Sequence, residues 1–75
     1  MELCEYCEAP LYPECTLIAF HGLLFCSLDC AVDYEIDRLM RIKATHGLTS
    51  AEVIALAEQT VENDYEEVMG RDIGL

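Results

Sequence analysis

Basic side chains are scarce in this chain of 75 residues, which has 4 Lys and Arg residues against 15 Asp and Glu residues. The formal net charge is −11 at pH 7 when histidine is counted as neutral. Zinc modules that bind nucleic acid usually carry a basic stripe, because cationic side chains release counterions from the phosphates. The charge therefore disfavours DNA and RNA as partners and favours a protein with a basic surface.

Long hydrophobic runs are also missing, although 53% of the residues are hydrophobic. No apolar run reaches the roughly 18 residues that a membrane-spanning helix needs, so we expect no membrane segment. The first residues include Glu2 and Glu5 but no basic cluster, which does not fit a signal peptide. The hydrophobic content also argues against a disordered acidic tail. We therefore predict a folded, cytoplasmic protein.

Five cysteines stand out against this background, and an odd number fits poorly with a disulfide framework. Four of them form two close pairs, Cys4 with Cys7 and Cys26 with Cys30. A structural zinc takes four soft ligands at tetrahedral corners, and a close pair supplies two of them from one tight turn. A chain this short buries little apolar surface, so a metal is a common means of stabilisation. We predict one structural zinc on these four thiolates in a reducing compartment, with iron as the alternative ion.

The segment between the two cysteine pairs predicts a β-hairpin. The apolar runs 16–20 and 23–25 flank His21 and Gly22, and a two-residue connection that ends in Gly is typical of a hairpin turn. A helix follows, since Ser27 or Asp29 can cap it and apolar residues then recur at three- and four-residue spacing. A cysteine knuckle, a hairpin, and a helix whose first turn carries the second pair are the parts of a treble-clef zinc finger.

A second helix is predicted to start after Gly47, which ends the first. Thr49 and Glu52 have the spacing of a capping box, and Gly70 would end the helix and leave 71–75 as a frayed tail. One face of this helix is mostly apolar and forms a stripe of Val53, Ile54, Ala57, Val61, Tyr65 and Val68. The stripe packs on the first helix or, in part, stays free to bind a protein partner or a second copy of the chain.

The second cysteine pair has Phe25 directly before it and Tyr34 four residues after it. Together with the knuckle and the glycine-bearing hairpin, this pattern resembles the TRASH, YHS and MYM-type group of treble-clef zinc fingers over residues 4–36. The resemblance implies that the zinc ligands are Cys4, Cys7, Cys26 and Cys30. Members of that group are interaction modules, or parts of metal-handling and metal-sensing proteins, and are not generally catalysts. The extra thiol of Cys15 departs from their pattern.

The fifth thiol and the histidines have simple interpretations. We expect Cys15 to be a small buried hydrophobic residue, the alternative being a fifth thiol for metal transfer or a substitute ligand. His21 is expected in the hairpin turn, and His46 at the end of the first helix. A catalytic zinc keeps one position open for water, whereas four thiolates close the shell, so we do not expect an enzyme.

These observations predict a small α+β, zinc-stabilised domain: a treble-clef finger followed by a second amphipathic helix. Residues 1–46 would form the zinc module with its long helix, and residues 47–75 the acidic helix packed on it, as one domain overall. The predicted function is that of a small regulatory or adaptor protein of a bacterium or phage that binds a basic protein. The alternatives are a metal-trafficking or metal-sensing module and a nucleic-acid charge mimic that inhibits a transcription factor.

Overall fold

The computed structural model describes residues 2–42 and 47–75, which form a small α+β fold with a three-stranded antiparallel sheet. In chain order its elements are β1 (Thr16–Phe20), β2 (Leu23–Phe25), α1 (Leu28–Arg41), α2 (Ser50–Asp64), β3 (Glu66–Met69) and a 3₁₀ helix (Gly70–Ile73). The strand order in the sheet is β2-β1-β3, so β1 lies at the centre.

The predicted hairpin is confirmed. Strands β1 and β2 pair antiparallel, with Ile18 opposite Phe25 and Phe20 opposite Leu23. His21 and Gly22 connect them with φ values of 51° and 77°. Positive φ at both central residues matches the twist of a tight hairpin, and glycine adopts it without steric cost.

Helix α1 begins where the sequence predicts. Ser27 is its N-cap, and the Ser27 hydroxyl accepts a hydrogen bond from the Cys30 N–H at 3.4 Å. The helix ends at Arg41, earlier than the predicted end at Gly47, because Ile42 takes an extended conformation. The Ile42 N–H still donates to the Arg38 carbonyl and completes the last turn. The predicted role of His46 lies outside the described residues.

Helix α2 has the predicted capping box but not the predicted length. The Glu52 N–H donates to the Thr49 hydroxyl at 3.2 Å, and the Thr49 N–H donates to the Glu52 carboxylate at 3.3 Å. The helix ends at Asp64, and the following residues form β3 on the second edge of β1. The prediction of one continuous helix through Gly70 is therefore wrong. Pairing with β3 satisfies backbone groups of β1 that a longer helix would leave unpaired.

The carboxyl-terminal residues are fixed to the rest of the chain, so the predicted frayed tail is also wrong. The Gly70 N–H donates to the Cys15 carbonyl at 3.0 Å, and the Arg71 N–H donates to the Pro13 carbonyl at 2.9 Å. Gly70 lies so close to this segment that an added Cβ would stand 2.3 Å from the Tyr12 carbonyl oxygen. Only glycine fits at such a close backbone approach.

The core lies between the sheet and the two helices. Leu17, Phe20 and Phe25 are almost fully buried and share one apolar cluster with Ala31 of α1 and Val61 of α2. A second cluster joins Leu39, near the end of α1, to Val53 and Ala57, in the first half of α2. The two helices therefore run antiparallel. Neither helix of the described chain is long and apolar enough to cross a membrane.

Candidate metal centre

The first cysteine pair lies in a knuckle formed by residues 2–11. Its two arms are held by a β-bridge between Leu3 and Pro10 and by a hydrogen bond of 2.9 Å from the Cys4 N–H to the Ala9 carbonyl. The chain reverses at Glu8, whose φ is 62° and whose N–H donates to the Cys4 carbonyl at 3.0 Å. The tight reversal places Cys4 and Cys7 at the same end of the knuckle.

The second pair comes from the junction of β2 and α1. Cys26 follows β2, and Cys30 lies in the first turn of α1, so the two cysteines are about one helical turn apart along the chain. A hydrogen bond of 3.0 Å from the Glu5 N–H to the Leu24 carbonyl joins the knuckle to β2. This contact brings the two cysteine pairs together.

All four sulfur atoms lie within 4.8 Å of one another. The Sγ atom of Cys26 is 3.4 Å from that of Cys7 and 3.5 Å from that of Cys30. These distances are far longer than the roughly 2.05 Å of a disulfide, and all five cysteines are free. Four thiolates at about 2.3 Å from a tetrahedral zinc would stand about 3.8 Å apart. The cluster therefore fits one tetrahedral metal ion, and the four predicted residues are the ones brought together.

The environment of Cys4 favours a thiolate. Cys4 is only 1% exposed, and burial by itself raises the pKa of its thiol. The backbone N–H groups of Cys7, Cys26 and Tyr6 donate hydrogen bonds toward its sulfur and outweigh that effect, so the pKa of Cys4 falls from 9.0 to about 6. One ligand of the cluster is therefore already stabilised as an anion.

The second pair behaves differently. Burial raises the pKa of Cys30 to about 12, and the neighbouring sulfurs of Cys26, Cys7 and Cys4 add to this, while the Ser27 hydroxyl opposes it. Burial and the hydrogen bond with Cys7 also raise the pKa of Cys26. Several thiolates cannot share so small a volume without a cation between them. A divalent ion held by the four sulfurs would supply that charge and displace the protons.

Cys15 does not take part in this cluster. It lies outside the group of four sulfurs, and its side chain is exposed, so the expectation of a buried hydrophobic residue is wrong. Cys15 precedes β1 at the surface, where its carbonyl accepts the bond from Gly70. His21 lies in the hairpin turn as predicted, with its ring edge-on to Phe20 at a centroid distance of 4.1 Å.

The sequence interpretation missed an ion pair on α1 whose carboxylate is buried. Glu35 is 0% exposed, and both its carboxylate oxygens accept hydrogen bonds from the Arg38 guanidinium, one of them at 3.1 Å. These bonds raise the pKa of Arg38. The available signal was the three-residue spacing of an acidic and a basic residue on one helix.

The apolar stripe, which was predicted to pack on the first helix or in part to bind a partner, is mostly internal. Val53, Ala57 and Val61 are buried in the clusters described above, and Tyr65 and Val68 are partly buried against the core. Of the stripe, Ile54 is the exposed residue, at 42%. Packing therefore accounts for most of this face, and Tyr65 and Val68 lie beyond the end of α2.

Comparison of the chain with protein-family models, with curated proteins and with solved structures finds no match. The resemblance to the TRASH, YHS and MYM-type fingers thus remains an inference from the cysteine pattern. The structure shows a small α+β fold with four cysteines at metal-binding distance.

Proposed function

We propose that this protein is a small interaction module of treble-clef type whose fold depends on one structural zinc. The observation that carries the proposal is the convergence of four cysteine sulfurs, from two separate segments, to within 4.8 Å of one another. The arrangement of knuckle, hairpin and helix start supports the likeness to TRASH, YHS and MYM-type fingers. The net charge of −11 supports a protein partner with a basic surface.

The donor set favours a structural ion over a catalytic one. Four thiolates complete the tetrahedral shell of zinc, whereas a catalytic zinc keeps a position for water or substrate. The bound ion would join Cys4 and Cys7 of the knuckle to Cys26 and Cys30 at the start of α1. It would thereby fix the knuckle against the sheet and the helix pair, so that metal-binding energy contributes to folding.

Matched cysteine variants test the metal centre. We expect native mass spectrometry of the purified protein to show one zinc per chain, and Cys26→Ser to lose it. Cys15→Ser is the control, since this exposed thiol lies outside the cluster. A chain without bound metal, or equal loss of metal in both variants, would contradict the proposal.

The interaction role has its own test. Wild-type protein loaded with zinc should retain a basic protein from a cell lysate, and chelation or Cys26→Ser should abolish the retention. Ionic strength should weaken the binding, because the attraction is between opposite net charges. Retention that is unaffected by metal removal and by salt would overturn this part of the proposal.

Metal trafficking is a second candidate, which the exposure of the Cys7 side chain favours. An accessible ligand allows an incoming thiolate to displace it, so the metal would exchange quickly. The position of Cys15 outside the cluster removes the fifth thiol that this function would use. If zinc transfer to a competing chelator takes the same time in wild type and Cys15→Ser, and is slow in both, the trafficking role is excluded.

A further inference from the structure

A groove of about 530 Å³ lies between α1 and α2. Its apolar lining consists of Leu28, Val32, Ile36 and Ile54. The three residues from α1 are four positions apart, so they form one stripe along the helix. Their inner sides pack on the core clusters, while they remain partly accessible from the groove. The groove is therefore an apolar surface that the packing of the two helices does not cover.

The rim of the same groove is acidic. It carries Asp29 and Asp33 from α1 and Glu58 and Glu62 from α2. Among the described residues that line the groove, none is a Lys or Arg. The salt bridge found among the described residues joins Glu35 to Arg38, so it does not neutralise this rim. The groove thus combines an apolar floor, mostly from α1, with four exposed carboxylates at its rim.

We propose that this groove binds a basic amphipathic helix of the protein partner. The inference rests on the proposed function and specifies the partner's chemistry. An apolar stripe on such a helix would fill the floor, and flanking Lys or Arg side chains would pair with the four carboxylates. A second copy of this chain would bring the same carboxylates face to face, so charge complementarity argues against self-association here.

The geometry sets the length of the occupant. The apolar residues of α1 extend over two helical turns, from Leu28 to Ile36, or about 12 Å. A partner helix of about 14 residues spans this distance with a turn to spare at each end. Its leucines should recur at three- and four-residue spacing on one face, with lysines on both sides of that face.

Three synthetic peptides of about 14 residues separate the contribution of the apolar stripe to the affinity from that of the positive charge. The first has the leucine stripe flanked by lysines; the second has the same composition in scrambled order; the third has glutamates in place of lysines. Each is titrated into the full zinc-loaded chain while backbone NMR shifts are recorded. We expect the first to bind and to shift the amides of α1 and α2 that border the groove. The scrambled peptide should bind at least about tenfold more weakly, and the acidic peptide should not bind.

Three variants on α2 make the test specific to the groove. Ile54→Glu places a charge in the apolar floor, and Leu56→Glu is its control, because the two side chains are 42% and 40% exposed and Leu56 does not line the groove. We expect Ile54→Glu to lower the affinity for the first peptide by about tenfold or more, and Leu56→Glu to leave that affinity nearly unchanged. Glu58→Lys, at an exposed rim position, should also weaken binding. Zinc content and circular dichroism check that each variant is folded.

The possible outcomes distinguish this inference from the proposed function. Loss of affinity in Ile54→Glu and Glu58→Lys but not in Leu56→Glu supports the groove. Binding of the first peptide with equal affinity to all three variants overturns it, while the role in binding basic proteins stands. Equal binding of the scrambled peptide shows a diffuse electrostatic attraction, which also overturns it, as does failure of the first peptide to bind folded, zinc-loaded protein. Failure of the proposed function would appear instead as a chain that binds no zinc.

Discussion

The knuckle of residues 2–11 and the pair of helices α1 and α2 are stabilised in different ways. In the knuckle, Cys4 and Leu11 are the buried side chains. The helix pair contributes Ala31 and Val61 to one buried cluster, and Leu39, Val53 and Ala57 form the other. Burial of apolar surface therefore stabilises the helices, whereas the knuckle has too little of it. We therefore expect the proposed metal to be needed mainly at the knuckle.

Removing the metal should have the largest effect of any change. Structural zinc contributes about 10 kcal/mol or more to comparable small modules. Cys4 and Leu11 are the knuckle's share of the buried core, which is too little to replace that contribution. We expect chelation to abolish hydrogen-exchange protection of the Cys4 and Glu8 amides before that of α2, and to destroy the cooperative unfolding transition. Protection that is unchanged after complete metal removal would show that the comparison is wrong.

Acid should act in the same direction as chelation. The pKa of Cys4 is lowered from 9.0 to about 6, so the stability that its thiolate contributes is present above the unfolded value and is lost as the pH falls through about 6. Cys26 and Cys30, whose pKa values are raised, must each lose a proton when the ion binds. Zinc loading at neutral pH should therefore release protons, which calorimetry in buffers of different ionisation enthalpy measures.

Gly70→Ala tests the contact between the carboxyl-terminal residues and the segment before β1. The new Cβ would stand 2.3 Å from the Tyr12 carbonyl oxygen and 2.8 Å from the Pro13 Cα, and both are backbone atoms that cannot turn away. We expect a loss of about 2 to 3 kcal/mol in the free energy of unfolding, measured with denaturant. Gly74→Ala is the control, because its Cβ would meet nothing within 4 Å, although its φ of 86° adds some strain. If both variants lost the same free energy of unfolding, the close approach at Gly70 would not contribute to stability.

Arg38→Ala tests the pairing of Glu35, the charged side chain that is buried among the described residues. Glu35 is 0% exposed, and its carboxylate would lose the guanidinium that pairs with it. Since Arg38 itself is 45% exposed, the expected cost is about 1 to 2 kcal/mol, less than for a fully buried pair. Arg41→Ala, at an exposed position in the last turn of the same helix, should change the free energy of unfolding little. If the two variants lowered the free energy of unfolding equally, the cause would be the lost interaction of a positive charge with the helix dipole and not the pairing with Glu35.

Signals that lie close together in the sequence predicted the structure well. The cysteine pairs, the His21-Gly22 turn and the capping box at Thr49 each depend on a few neighbouring residues, and each appears in the structure. Strand β3 was missed because its formation depends on pairing with β1, which lies far away along the chain. The apolar spacing of Val61 and Val68 fits a helix equally well, so periodicity alone could not reveal the strand. The groove also required the distance between two helices, which no local pattern contains.

Glu8→Gly should produce the smallest change, and in the opposite direction. Glu8 follows Cys7 in the knuckle with φ of 62°, a left-handed conformation that costs a residue with a Cβ about 1 kcal/mol. Glycine adopts this conformation freely, so the zinc-loaded variant should be up to about 1 kcal/mol more stable in denaturant unfolding. Glu8→Ala removes the same negative charge but keeps the Cβ, and we expect no gain from it. A gain shared by both variants would assign the effect to charge repulsion in this acidic protein. A gain for glycine alone would show that the left-handed conformation at Glu8 costs the knuckle stability.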